Sequence, residues 1–180
     1  MSDMLTRLRS LDQPIRVAII GIGSVGKGLL YQCGITPGFT CVGIADKNVT
    51  KAVEAAKAFG RPYRVVESPG ALQDAIGKGV IAVCNDGTML ARCESADVLI
   101  EASSAILEGG KFALAALETG KDLVMMNAEA DLIYGPYLMR LAQEKGLVYT
   151  SCDGDQPGCI RRLIDEIQLW GLELVMAGNI

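Results

Sequence analysis

Three glycines at fixed spacing directly follow an apolar run near the start of the chain, in the stretch AIIGIGSVGKGLL at residues 18–30. The pattern Gly21-x-Gly23-x-x-Gly26 is typical of loops whose bare backbone lies against the pyrophosphate of a dinucleotide. The alternative pattern, Gly21-x-x-x-x-Gly26-Lys27, approaches the loop that wraps the phosphates of a nucleoside triphosphate. The two interpretations require different neighbouring residues.

The residue after the lysine argues against the triphosphate interpretation. A loop of that kind needs Ser or Thr there, because the hydroxyl binds Mg²⁺, and this chain has Gly28. A dinucleotide loop needs a strand before the glycines, a helix after them and an acid at the end of the next strand, about 20 residues on. The run IRVAII (15–20) predicts the strand, a helix is expected from about Val25, and Asp46 ends the next apolar run.

Each residue of the glycine motif has its own task in holding a dinucleotide. Gly21 permits a sharp turn out of the strand, Gly23 lets the backbone approach the pyrophosphate, and Gly26 lets the helix pack closely on the sheet. The amides of Ser24 and Val25 lie at the positive end of the helix dipole, so we expect them to bind the phosphates.

The acid at the end of the second strand bears on the choice of coenzyme. We expect Asp46 to accept hydrogen bonds from the adenosine ribose, which favours NAD because its charge repels a 2′-phosphate. Lys47 and Lys51 are close enough in sequence to offset that charge and accept NADP. The sequence therefore predicts NAD or NADP without choosing between them.

Polar residues follow three further apolar runs, in the stretches IEASS, VMMNAEAD and YTSCDGDQPG. Ligands of open α/β sheets bind beyond the carboxyl ends of the strands, so we expect these residues near the nicotinamide and its substrate. Those expected beside the nicotinamide are Ser103, Ser104 and Asn127. Those expected to bind the substrate or act as acid or base are Glu129, Asp153 and Asp155. Helix capping is the alternative role, for example by Asp155 ahead of Pro157.

The chain contains no histidine. Ser-His and Cys-His nucleophilic pairs are therefore excluded within one chain, and proton transfer must use Lys, Asp, Glu, Tyr or water. Glu129, Asp153 and Asp155 could together hold Mg²⁺ or Mn²⁺. That site would require two distant segments to meet, and we do not predict a metal.

Strand-like and helix-like runs alternate along the whole chain. This alternation predicts a doubly wound, mostly parallel α/β sheet of the Rossmann type with helices on both faces. We expect residues 1–155 to form an NAD(P)-binding domain and residues 156–180 to begin a substrate or dimerisation domain that is cut short. A helix is expected over 134–146 with Pro136 near its start. The apolar run at 172–180 predicts one more strand, whose edge could pair with another chain.

Composition narrows the classes of partner. The 180 residues carry a net charge of −4 and no dense basic run, which disfavours nucleic acid. The six cysteines form no C-x-x-C pair, and the first residues contain no apolar signal core. We therefore expect buried thiols in a reducing cytoplasm. We expect a small-molecule substrate, no nucleic-acid or membrane partner, and a homo-oligomer such as a dimer.

The stretch VMMNAEADLIYGPYLMRLAQEKGLVYTSCDGDQPG, with GIGSVGKG upstream and MAGNI at the end, carries a family resemblance. It resembles the homoserine dehydrogenase-like oxidoreductases that often have a C-terminal SAF domain, a group that is itself similar to the reductoisomerases acting on deoxyxylulose phosphate. The resemblance covers residues 15–180 and implies an NAD(P)-binding Rossmann domain followed by a substrate and dimerisation domain. Homoserine dehydrogenases have an active-site lysine where this chain has Ala128, which argues against homoserine as substrate.

The resemblance and the motif lead to the same expected reaction. We expect an oxidoreductase that transfers hydride between a nicotinamide and a small polar hydroxy or carbonyl compound. Members of the group are much longer than this chain, so it is expected to be a cofactor domain that is inactive alone. The alternatives are a non-catalytic NAD(P)-binding sensor or assembly module and a P-loop phosphotransferase. The sensor would bind without turnover, and the phosphotransferase would require ATP and Mg²⁺.

Overall fold

The computed structural model describes residues 3–151 and 156–176 and divides the chain into two compact units, residues 1–150 and 151–180. The helices of the described ranges are α1 (Asp3–Arg9), α2 (Ser24–Ile35), α3 (Val49–Phe59), α4 (Pro69–Gly77), α5 (Gly87–Ala91), α6 (Ile106–Glu118), α7 (Ala128–Lys145) and α8 (Gln156–Leu169). The strands are β1 (Ile15–Ile20), β2 (Phe39–Ala45), β3 (Tyr63–Val65), β4 (Ile81–Cys84), β5 (Val98–Glu101), β6 (Asp122–Met125) and β7 (Tyr149–Ser151).

The strands form one sheet in the order β3-β4-β2-β1-β5-β6-β7. The pairs β1–β2, β1–β5, β2–β4, β3–β4 and β5–β6 are all parallel. The chain builds outward from β1 on one side and then returns to place β5 on the other side of β1. This reversal opens a crevice at the carboxyl ends of β1 and β5, where ligands of such sheets bind. The predicted doubly wound sheet is confirmed.

Successive residues of β1 serve two separate cores, one on each face of the sheet. Val17 and Ile19 are buried in the core that includes α2 and α3. Ala18 and Ile20 are buried in the core that includes helices α4 to α7. Because both faces are covered along the buried part of β1, that part needs apolar residues at every position, which explains the unbroken run at 17–20 after the half-buried Arg16.

Two sequence predictions are wrong. Helix α7 begins at Ala128 rather than at 134, so Pro136 lies inside it. The proline lacks the N–H that would bond the carbonyl of Leu132, but Leu132 is 83% exposed, so water can serve that carbonyl. Residues 172–176 form no strand, and the edge proposed for pairing with another chain is absent there. The short helices α1 and α5 were not predicted.

Four cysteines are free and buried: Cys33, Cys41, Cys84 and Cys93. Burial raises the pKa of Cys84 to about 11. Such thiols are poor nucleophiles at neutral pH, so these four have the structural role that the sequence predicts. In the same ranges no helix combines the length and the apolar character needed to cross a membrane.

Candidate functional site

The turn after β1 needs glycine for reasons internal to the protein. Gly21 has φ +91°, a left-handed conformation that other residues rarely adopt. A Cβ on Gly21 would lie 2.4 Å from the amide nitrogen of Ser103 and 2.6 Å from the carbonyl oxygen of Ala102. The ends of β1 and β5 therefore touch backbone to backbone.

The third glycine of the motif seats helix α2 on that turn. A Cβ on Gly26 would lie 2.0 Å from the carbonyl oxygen of Gly21, closer than any two such atoms can approach. Gly26 is buried and does not line the cleft described below. Its place in the structure is the close packing that the sequence suggested for it.

The middle glycine has no such internal reason. Gly23 has φ −79° and ψ −159°, an extended conformation open to other residues, and a Cβ there would meet no protein atom within 4 Å. Gly23 precedes α2, and no side chain caps the amides of the first helical turn. A bare backbone beside uncapped amides is a cradle that a side chain would fill, and it fits a diphosphate.

Asp46 links the glycine turn to the next helix. Its Oδ2 accepts a hydrogen bond from the amide of Ile22 at 2.9 Å, and its Oδ1 accepts one from the amide of Asn48 at 2.9 Å. Each carboxylate oxygen has a further lone pair, and Asp46 also lines the cleft. It therefore has a structural role and keeps free capacity to accept bonds from a ribose.

These elements surround a cleft of about 350 Å³ at the carboxyl ends of β1, β2, β4 and β5. Most of the residues predicted to bind the coenzyme line it: Gly21, Gly23, Ser24, Val25, Asp46, Lys47, Ser103 and Ser104. A larger groove of about 830 Å³ lies at the amino ends of the strands, around Arg16 and Asp97. We take the smaller cleft as the functional site because doubly wound sheets bind ligands at the carboxyl ends.

Sequence reasoning missed eight residues that line the cleft. Four are aliphatic (Ile20, Ala45, Ala102 and Ala105), and the others are Asn85, Gly87, Glu108 and Phe112. Asn85 directly follows the apolar run of β4, as Asp46 follows β2, so a signal for it was present. Gly87 packs on Phe112, whose ring atoms would lie within 3.0 Å of a Cβ at that position. That contact joins α5 to α6, and neither spacing nor composition reveals it.

Asn127 lies next to the cleft but does not line it. The side chain is 3% exposed. Its Oδ1 accepts from the amide of Ala130 at 3.1 Å, and its Nδ2 donates to the carbonyl of Ala105 at 3.3 Å. Asn127 thus caps α7 and ties its start to the segment that leads into α6.

The proposed acid–base residues are not gathered at the cleft by the described structure. Glu129 is exposed in the first turn of α7, and Asp153 and Asp155 lie outside the described residues. Nearby, the carboxylate of Asp131 accepts a hydrogen bond from the hydroxyl of Tyr149. This bond and burial raise the pKa of Tyr149. Within the described residues no three acidic or cysteine side chains form a group able to hold a metal ion.

A buried acid, Glu101, ends β5 directly before the segment that lines the cleft. Glu101 has no exposed surface, and its Oε1 accepts from the amide of Ser103 at 3.0 Å. Burial raises its pKa, and this effect outweighs the nearby donor groups of Ser103 and Asn127, which lower it.

Comparison with solved structures shows the same architecture in larger proteins. The 1-deoxy-D-xylulose 5-phosphate reductoisomerase of Zymomonas mobilis, solved with NADPH, matches at 24% identity and TM-score 0.56 over 78% of this chain and 39% of its own. A homoserine dehydrogenase of Thiobacillus denitrificans matches at 22% identity and TM-score 0.56 over 77% and 29%. The fold is Rossmann-like.

A third Rossmann-like protein extends the comparison. The myo-inositol dehydrogenase of Lactobacillus casei, solved with NAD(H) and myo-inositol, matches at 20% identity and TM-score 0.60 over 87% of this chain. This chain spans 39%, 29% and 42% of the lengths of these three proteins. No protein-family model matches the sequence, and no curated protein matches it.

Proposed function

We propose that this chain is the coenzyme-binding part of an NAD(P)-dependent oxidoreductase that acts on a small polar hydroxy or carbonyl compound. The observation that carries the proposal is Gly23, which faces open space beside the uncapped first turn of α2. The three compared enzymes have the same fold, and two of them were solved with NADPH or NAD(H). A nicotinamide held in the cleft would supply or accept a hydride.

The residues of the cleft divide by the part of the coenzyme that each would hold. The amides of Ser24 and Val25 would bind the diphosphate, with Gly21 and Gly23 shaping the approach and Gly26 seating the helix. Asp46 would accept hydrogen bonds from the ribose hydroxyls. Ser103 and Ser104 would border the nicotinamide, and Asn127 would fix their segment through Ala105.

The substrate side of the proposal rests on acids at the end of the sheet. Without histidine in the chain, a proton would be carried by a carboxylic acid, a lysine, a tyrosine or water. Glu129, Asp153 and Asp155 are our candidates for binding the substrate or moving that proton. The choice of substrate, the start of a second domain at 156 and a homo-oligomeric assembly remain predictions.

Direct titration tests the coenzyme proposal. The full chain is titrated separately with NADH and NADPH, and the fluorescence of the reduced nicotinamide reports binding. We expect saturable binding of at least one coenzyme, with competition by its oxidised form. The phosphotransferase alternative would instead give ATP binding that depends on Mg²⁺ and no response to either nicotinamide. Binding of neither coenzyme would reject the proposal.

Asp46→Ala is expected to weaken the binding of NADH more than the binding of NADPH. The variant loses charged hydrogen bonds to the ribose, each worth about 1.5–3 kcal/mol, or roughly tenfold or more in Kd. NADPH loses less binding free energy, because the variant also removes the repulsion between the Asp46 carboxylate and the 2′-phosphate. The ratio of the two Kd values isolates this effect from general loosening of the turn at Ile22. Asp46→Asn is the matched variant that keeps a side-chain acceptor, and equal weakening of both coenzymes by Asp46→Ala would remove Asp46 from the ribose site.

Replacement of both Lys47 and Lys51 by Ala is expected to weaken the binding of NADPH and not that of NADH. Both lysines line the cleft, and no carboxylate of the described residues forms a salt bridge with either. Free ammonium groups there would pair with a 2′-phosphate, so their loss should raise the Kd of NADPH about tenfold. The Kd of NADH should stay within about twofold. The control is Lys57→Ala, because Lys57 is exposed and lies on α3, the helix that also contains Lys51.

A further inference from the structure

The orphan oxygen of Glu101 has no explanation in the fold alone. Glu101 has no exposed surface, and its Oε2 is buried with no hydrogen-bond partner among the described residues. Leaving a carboxylate oxygen in this state is costly, and buried acids are ordinarily paired. An apolar residue could end this strand without that cost in free energy. We therefore look for the role of the acid in the neighbouring cleft.

Among the described residues, no positively charged side chain shifts the pKa of Glu101. In the sheet it lies level with Ile20 of β1 and Met125 of β6. On the other side, Gly109 of α6 leaves room for the carboxyl group, since a Cβ there would lie 3.0 Å from Oε2. The same Cβ would lie 3.0 Å from Nδ2 in the side chain of Asn127. The carboxyl is thus enclosed by apolar and amide groups.

Charged residues lie close in sequence to these contacts. On α6, Glu108 and Lys111 form a salt bridge with each other, with Lys111 Nζ 3.6 Å from Glu108 Oε1. Glu129 follows Asn127 by two residues on α7 and is exposed. Burial raises the pKa of Glu101, and the nearby donor groups of Ser103 and Asn127 lower it by less.

Glu101 connects directly to a wall of the cleft. Its Oε1 accepts a hydrogen bond from the backbone amide of Ser103 at 3.0 Å. The hydroxyl oxygen of Ser103 in turn accepts a hydrogen bond from the backbone amide of Ala105 at 3.3 Å. Ser103 lines the cleft, and its amide nitrogen is the atom that a Cβ on Gly21 would meet at 2.4 Å. The carboxyl group therefore fixes segment 102–105 against the glycine turn.

We propose that Glu101 is a positioning residue that works as a neutral acid and that its ionisation weakens coenzyme binding. This inference rests on the proposed function. An ionised Glu101 would place an unpaired negative charge behind a cleft that receives an anionic diphosphate.

The sign of the pH dependence follows from this coupling. The coenzyme binds the protonated form more tightly, so Kd stays constant while Glu101 is protonated and rises as the pH passes its pKa. Glu101→Gln keeps the shape and the neutral charge but has no proton to lose. It should hold the Kd constant over the whole range.

The test compares Glu101→Gln, Glu101→Ala and a control, Glu67→Gln, an exposed acid that does not line the cleft. Kd values for NADH and NADPH are measured from roughly pH 5, just above the ordinary pKa of a glutamate, to pH 9. At the acidic end of this range we expect Glu101→Gln to stay within about twofold of the parent, and Glu101→Ala to bind about tenfold more weakly. The Kd should rise toward alkaline pH in the parent and in Glu67→Gln and stay constant in Glu101→Gln, and a parent Kd that does not change with pH would contradict the inference.

An infrared difference spectrum of the ligand-free protein supplies an independent measurement. At a pH at which an ordinary glutamate is already ionised, the spectrum of the parent minus that of Glu101→Gln should show the carbonyl stretch of a protonated carboxylic acid. A carboxylate band instead, tenfold weaker binding by Glu101→Gln, or unchanged binding by a folded Glu101→Ala would overturn the inference. If the parent bound neither coenzyme, the proposed function would fail, while the infrared result would still decide the protonation of Glu101.

Discussion

Gly23→Val is expected to weaken coenzyme binding about 100-fold and leave the fold intact. A Cβ at Gly23 meets no protein atom within 4 Å, and the backbone there, at φ −79° and ψ −159°, is extended rather than left-handed. The valine methyl groups would occupy the space through which a diphosphate approaches the amides of Ser24 and Val25. Two lost charge-assisted hydrogen bonds cost about 3 kcal/mol, or roughly 100-fold in Kd.

The matched control for this prediction lies one helical turn away. Gly28 also faces open space, belongs to α2 and does not line the cleft. Gly28→Ala should gain about 1 kcal/mol in stability, because alanine is the better helix former, and should leave Kd unchanged. Coenzyme titration and thermal unfolding are measured on both variants. Normal binding by Gly23→Val would mean that the diphosphate lies elsewhere, which would remove the main support for the proposed function.

The sheet could be predicted because its strands are buried on both faces. That condition requires an unbroken apolar run such as 17–20, and the two cores to which Val17 and Ala18 belong show the cause. The glycine spacing could be predicted for a similar reason. A turn that touches the backbone of Ser103 tolerates no side chain, so its requirement is visible in single residues.

The features that could not be predicted depend on contacts between distant segments. Asn127 is a polar residue after an apolar run, which fits a ligand-binding residue and a helix cap equally well. Only the position of Ala130 shows that it caps α7, and that cap is why the helix begins at Ala128 instead of near Pro136. The burial of Glu101 likewise requires Gly109 to bring α6 close, and no local pattern indicates that approach.

Gly21→Ala is expected to destabilise the protein by roughly 2–5 kcal/mol. Alanine at φ +91° costs about 1–2 kcal/mol in backbone strain. Its Cβ would also lie 2.4–2.6 Å from backbone atoms of Ala102 and Ser103, and pushing the end of β5 aside adds about 1–3 kcal/mol or more. The sum is a large part of the roughly 5–15 kcal/mol that stabilises an ordinary domain.

Gly60→Ala separates the two contributions to that loss. Gly60 ends α3 at φ +76°, and a Cβ there would meet nothing within 4 Å, so this variant suffers the strain without the clash. Urea unfolding should therefore place Gly60→Ala about 1–2 kcal/mol below the parent and Gly21→Ala clearly lower. Equal losses would show that β1 and β5 do not touch at Gly21. Since that contact forms the floor of the crevice, a larger loss for Gly21→Ala means that one backbone contact both stabilises the sheet and shapes the site.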